Sequence, residues 1–83
     1  MNITIRYFAS VREAMGCGSE QLSTEAATLG ELRAELIARG GAGADCLAAG
    51  KAVRMALNQV MCGADAALSE QAEVAFFPPV TGG

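Results

Sequence analysis

The sequence contains no histidine, so it lacks the side chain most often used as general base or metal ligand near neutral pH. Its three cysteines, Cys17, Cys46 and Cys62, are odd in number and widely spaced. They form no Cys-x-x-Cys pair and no cluster of four, which leaves no ligand set for zinc or an iron–sulfur centre and no disulfide framework. No glycine-rich phosphate loop follows a strand: "GGAG" at 40–43 lacks the Lys and Ser/Thr of a P-loop and more simply ends a helix. The six Lys and Arg are scattered among nine Asp and Glu, for a formal charge of −3. Nucleic acid and anionic membrane both demand a clustered basic footprint, so neither is expected as a partner, and a partner with a basic cleft is favoured. The start "MNITIRYFAS" has no basic n-region leading into an apolar stretch, and no apolar run approaches a membrane span. Together with the unpaired cysteines, this points to a cytoplasmic protein.

What the sequence has is a core. Its 83 residues are 52% apolar, enough for one small packed domain with a stability of roughly 4–12 kcal/mol. Residues 2–8, "NITIRYF", alternate, with Ile3, Ile5 and Tyr7 on one face and Thr4, Arg6 and Phe8 on the other, as in a half-buried strand. "GCGSEQ" suits a hairpin connection to a weaker strand around 21–25. In "TEAATLGELRAELIARGG", Thr28 and Glu31 form a capping box, worth about 1 kcal/mol. Leu29, Leu32, Leu36 and Ile37 make the apolar stripe of a helix, Glu35 and Arg39 a favourable i,i+4 pair, and Gly40-Gly41 the stop. "AGADCLAAG" predicts a short helical turn closed by Gly50. Strands follow near 53–58 and 59–62, with a turn at Asn58, then a loop, then "EVAFFP", where Val74 and Phe76 oppose Ala75 and Phe77 and Pro78 ends the ladder. Strands on either side of one amphipathic helix give an α+β sheet with the helix across one face. The strongest β signals lie in the first and last strands, which places them side by side at the centre. The arrangement resembles the ubiquitin-like β-grasp, a mixed sheet of four to five strands with a projecting C-terminus.

Few side chains in this chain could do chemistry. Cys17, between two glycines, is the most exposed thiol by context. It reads as an incidental loop cysteine, since the nearest cation, Arg12, is five residues away. Cys46 and Cys62 lie in apolar context and read as small core hydrophobes. The ending "FFPPVTGG" is different. Frayed tails are polar, whereas this one is apolar and stiff. Pro78-Pro79 favours extended geometry, so six residues reach about 18–20 Å beyond the sheet. Gly82 and Gly83 have no Cβ, pass a narrow channel and leave a terminal carboxylate sterically open. A stiff arm with a slim, unhindered end suits delivery into another protein's active site. Residues 1–77 then form the body and residues 78–83 the arm.

"EVAFFPPVTGG", with "ALNQ" upstream and "YFASVRE" near the start, resembles the small, sulfur-carrying subunit of molybdopterin synthase. The likeness covers essentially the whole chain and is densest over residues 51–83. It implies a non-catalytic sulfur donor with no cofactor of its own. A ubiquitin-activating-enzyme-like adenylyltransferase, consuming ATP, would convert the Gly83 carboxylate to an adenylate, and a sulfur donor would leave a thiocarboxylate. The arm would then enter the large synthase subunit, in a heterotetramer of two small and two large subunits, and build the dithiolene from cyclic pyranopterin monophosphate. In that reading Gly83 carries sulfur, Gly82 gives clearance, and Pro78, Pro79, Val80 and Thr81 form the inserted arm. Phe8, Phe77 and Met61 form an exposed apolar patch for the partner, and Arg12 adds a polar contact. Other readings of the same tail are a carrier for thiamine or tRNA thiolation, a protein modifier ending on lysines, or a β-grasp module whose tail only docks. The chain departs from the family in "SEQAEV", with Gln71 and Ala72 where a Gly-containing acidic turn is common. A positive φ at either residue would cost about 1 kcal/mol.

Overall fold

In the computed structural model, which describes residues 1–48 and 52–79, the alternation of the first segment becomes burial. Strand β1 (Asn2–Tyr7) sinks Ile3, Ile5 and Tyr7 to 2% exposure or less and turns Thr4 and Arg6 outward. β-branched and aromatic side chains at alternate positions suit a pleated strand with one wet face.

The chain does not pass from β1 directly into a hairpin, as expected. Helix α1 (Ala9–Met15) fills the connection before β2 (Ser19–Ser23), which lies two residues earlier than the 21–25 expected. Ala9 takes a left-handed φ of 52° and turns the chain off the sheet after Phe8. The segment "ASVREAM" consists largely of good helix formers, and its i,i+4 apolar pair, Val11 and Met15, packs on the core.

Helix α2 (Leu29–Ala38) begins where the cap predicts: Thr28 Oγ1 accepts the Glu31 N–H at 3.2 Å. Glu31 returns its carboxylate to the Ala27 N–H, one residue before the Thr28 N–H of a strict capping box. Leu29, Leu32 and Leu36 are fully buried and Ile37 half-buried. The expected Glu35–Arg39 pair does not form. Arg39 forks instead onto Glu20 of β2 at 2.9 and 3.1 Å, and Glu35 accepts the hydroxyl of buried Thr24 at 2.5 Å. Both side chains thus tie α2 to the β2 side of the sheet.

Gly40 and Gly41 end this stretch at φ 85° and 64°. Helix α3 (Ala42–Cys46) then approaches α2 so closely that a Cβ on Gly43 would stand 2.9 Å from the Leu36 carbonyl oxygen. Arg33 secures the segment after α3, donating to the carbonyls of Leu47 and Ala48 at 2.7 and 2.9 Å. The expected closing residue, Gly50, lies outside the described residues. Strands β3 (Arg54–Leu57) and β4 (Val60–Cys62) meet at Asn58-Gln59, both left-handed at 49° and 70°, as a two-residue hairpin turn of the I′ kind requires. Asn58 also clamps β5 (Glu73–Phe77): its N–H donates to the Glu73 carbonyl at 2.8 Å, and its Oδ1 accepts the Glu73 N–H at 3.0 Å.

The five strands form one mixed sheet in the order β2-β1-β5-β3-β4, with β1 and β5 parallel and the other pairs antiparallel. The first and last strands are therefore neighbours inside the sheet, as their β signals led us to expect. Tyr7 stands opposite Phe76 and their rings stack, with centroids 6.2 Å apart. Val74 and Phe76 are fully buried among the leucines of α2, while Val11, Leu47 and Leu68 complete the core. Cys46 and Cys62 pack half-buried against it. Among the described residues no helix is long and apolar enough to cross a membrane.

Gln71, in the turn before β5, takes φ 67° and donates its N–H to the Asn2 carbonyl at 2.8 Å. The positive φ whose cost was weighed for this turn is therefore present at Gln71. Gln71→Gly is expected to raise the unfolding free energy by up to about 1 kcal/mol, read by urea denaturation with an unchanged m-value. A second expectation concerns Glu20, which also accepts the hydroxyl of Tyr7 at 2.8 Å. The Arg39 guanidinium holds its carboxyl below the ordinary value of 4.5, against the opposing effect of burial, and the Tyr7 hydroxyl adds to the lowering. A lowered folded value means this contribution is present above the unfolded carboxyl pKa and is lost as pH falls through the folded one. Arg39→Ala should cost up to about 1 kcal/mol at pH 7. The gap to wild type should close on acidification below 4.5, as followed by urea melts across that range.

Candidate functional site

The dipeptide Phe76-Phe77 divides between the two faces of the sheet. Phe76 goes into the core, and Phe77, half-exposed, goes to the face that α2 leaves open. Register extends that face sideways. Arg54 of β3 stands opposite Phe77, and Phe8 follows Tyr7, whose partner on β5 is Phe76. Phe8 keeps an extended backbone (φ −126°, ψ 152°), so the alternation of β1 carries through it and its ring stays on the open face. It is 43% exposed, with the Arg6 guanidinium 5.8 Å from the ring centre. The next row across the sheet is Arg6, Ala75, Ala56 and Met61, the last 58% exposed. Phe8, Phe77 and Met61 therefore share one face.

Arg12 lies elsewhere. It sits one turn into α1, exposed, with its guanidinium Nε 3.3 Å from where a Gly18 Cβ would be, in an open depression that also holds Glu13 and Cys17. Cys17 is exposed, as its setting between glycines suggests. The arm leaves from the end of β5. Pro78 and Pro79 are half-buried, and Pro78 borders a cleft of about 250 Å³ shared with Ser10, Val11, Cys46, Ala52 and Val53. Val80, Thr81, Gly82 and Gly83 lie outside the described residues. Among the described residues no group of three His, Cys, Asp or Glu could hold a metal ion. Sequence reasoning did not single out Arg54, Ala56 or Ala75. Parity along β5 put Ala75 beside Phe77, but the β3 residues join this face only once the β3–β5 register is known.

A five-stranded mixed sheet with parallel terminal strands at its centre, a helix across one face and the last strand running into a Pro-Pro arm is the ubiquitin-like β-grasp. The chain belongs to the ThiS family, whose sequence profile matches residues 5–83. It is 37% identical over 81 residues to the molybdopterin synthase sulfur carrier subunit of Haemophilus influenzae, covering 98% of this chain and 99% of that one. It is 38% identical, over the same length and coverage, to the protein of that name in Escherichia coli. Among solved structures it is similar to a chain of the protein–protein complex of subunits 1 and 2 of molybdopterin-converting factor from Helicobacter pylori, with a TM-score of 0.68, 26% identity and full coverage of both chains.

The two faces should separate in a stability measurement. Phe76→Ala is expected to cost about 3–5 kcal/mol by emptying the core beside Tyr7. Met61→Gln, on the open face, should stay within about 0.5 kcal/mol of wild type in the same urea titration.

Proposed function

We propose that this chain is the sulfur-carrying small subunit of a molybdopterin synthase. The observation that carries the reading is its likeness, along 98% of its length, to sulfur carrier subunits of that enzyme. The fold supports it, because a rigid body ends in a strand that continues into Pro78-Pro79.

The chemistry then belongs to the arm. The Gly83 carboxylate is anionic and has no leaving group, so it must first be activated. One of its oxygens attacks the α-phosphorus of ATP in a partner adenylyltransferase, pyrophosphate departs, and a mixed anhydride with AMP results. Hydrosulfide released by a sulfur donor adds to that carbonyl, AMP leaves, and the chain end becomes a thiocarboxylate. The nucleotide is consumed in the activating enzyme, and this chain holds no cofactor.

Sulfur delivery follows in the large synthase subunit, the counterpart of subunit 2 in the Helicobacter pylori complex. The open face with Phe8, Phe77 and Met61 docks on that subunit, Pro78 to Thr81 thread its channel, and Gly82 gives clearance near the reacting atom. There the thiocarboxylate sulfur bonds to a carbon of cyclic pyranopterin monophosphate, water cleaves the acyl–sulfur bond and returns the Gly83 carboxylate, and two such transfers build one dithiolene. Arg12 supplies a polar contact from α1, away from that face.

Incubation with ATP, the cognate adenylyltransferase and a sulfide source, followed by top-down mass spectrometry, tests this. Exchange of O for S adds about 16 Da, which oxidation of one Met or Cys would mimic. No Met or Cys follows Cys62, so a gain that fragmentation confines to the last residues reports the thiocarboxylate. We expect that gain, and expect it to disappear when Gly83 is deleted. An unmodified tail together with larger conjugates would instead mark a protein modifier, and neither product in the presence of a competent enzyme would leave a docking module.

A further inference from the structure

The open face carries a charge pattern opposite to that of the chain. The whole chain has a formal charge of −3, yet Glu73 is the one acidic strand residue on this face, where two arginines stand. Glu73 is already taken by Arg6 at 3.6 Å. Arg54 is exposed and has no ion pair among the described residues. It stands directly beside Phe77, the last residue before the arm.

By register the same face has small side chains at its middle. Ala75 and Ala56 are cross-strand partners, and Met61 is the next residue outward on β4. The larger side chains of Phe77, Arg54 and Met61 surround this alanine pair by register. Ala56 is only 7% exposed although it stands apart from the core on the other face. Small residues ringed by large ones make a trough that receives one apolar side chain, and the guanidinium at its edge offers a fork for a carboxylate.

Resting on the sulfur-carrier reading, we propose that Arg54 and the Ala56–Ala75 trough together select the large synthase subunit, which presents an apolar side chain to the trough with an Asp or Glu beside it for Arg54. A net-acidic body repels a uniformly acidic partner, so the carboxylate that Arg54 accepts has to be local. Apolar contact anchors the docked state, and the charge pair sets orientation and encounter rate.

The test is a titration of the full-length chain against its cognate large subunit at low and high salt. Arg54→Glu should weaken binding about 10-fold or more at about 50 mM NaCl, mainly through slower association, and the loss should shrink at about 500 mM. Ala56→Leu, which fills the trough, should weaken binding equally at both salt concentrations, with a urea midpoint recorded to confirm that the variant is folded. Phe77→Ala serves as the control for the apolar contact. If Arg54→Glu binds within about twofold of wild type at low salt while Phe77→Ala does not, the selecting role of Arg54 is wrong and the carrier reading stands. An Ala56→Leu variant that is folded and binds like wild type removes the trough from the proposal. A wild-type chain that fails to bind, and gains no sulfur at its tail, removes the carrier reading along with both.

Discussion

Everything in this molecule depends on the parallel pairing of β1 with β5. The first strand and the last are brought together at the middle of the sheet, Ile5 beside Val74 and Tyr7 beside Phe76. This is a costly contact to find, because most of the chain must be looped out before it forms. Once made, it fixes two things together. Phe76 is locked into the core against the Tyr7 ring, and Phe77, the next residue along the strand, is turned to the open face beside Arg54. Because side chains alternate, a slip of one residue in this ladder would exchange Phe76 for Phe77 and turn both the core and the open face inside out. The hydrophobic pattern that stabilises the body is thus the same pattern that sets where Pro78 leaves the sheet.

Much of this was legible because it rests on short-range periodicity. The alternation of residues 2–7, the leucine stripe of α2 and the Thr28 cap are local features, and burial follows them closely. Pairing of the terminal strands could be inferred from the strength of their β signals. The readings that went astray are those in which a distant group outcompeted a local one. Glu35 and Arg39 have ideal helical spacing, yet Thr24 and Glu20, which precede the helix, offer each a better partner. Helix α1 escaped notice because its stripe is only Val11 and Met15, and its first residue is an alanine in a left-handed conformation that no propensity anticipates. Gln71 is the opposite case: the sequence raised a positive φ at residue 71 or 72 only as a condition, and the structure places it at Gln71, at 67°. The open face was legible along each strand but not across strands, since parity assigns Phe8 and Phe77 a side while only register supplies Arg54 and Ala56.

In the proposed role, a protein with this inventory acts by geometry. The shifted titrations are structural: burial raises the Tyr7 hydroxyl, and the Arg39 fork lowers Glu20, both within the joint between α2 and the sheet edge. None of these groups lies at the arm. Reactivity in the proposed role is supplied by partners, and the body contributes reach, orientation and a face to be recognised. Several of its polar side chains serve caps and clamps, such as Asn58 on Glu73 and Arg33 on the carbonyls of Leu47 and Ala48.

The parallel ladder also determines how the molecule answers to force. Strands that pair in parallel and lead to the two ends of a chain are loaded lengthwise when those ends are pulled apart, so their hydrogen bonds bear the strain together. An antiparallel hairpin such as β3–β4 would open one bond at a time. Traction on the arm against the amino terminus therefore meets the sheet in its stiffest direction, with Phe76 seated behind the strand as a plug. In the proposed role, a body held this way keeps its fold under the pull that insertion and withdrawal of its end would exert.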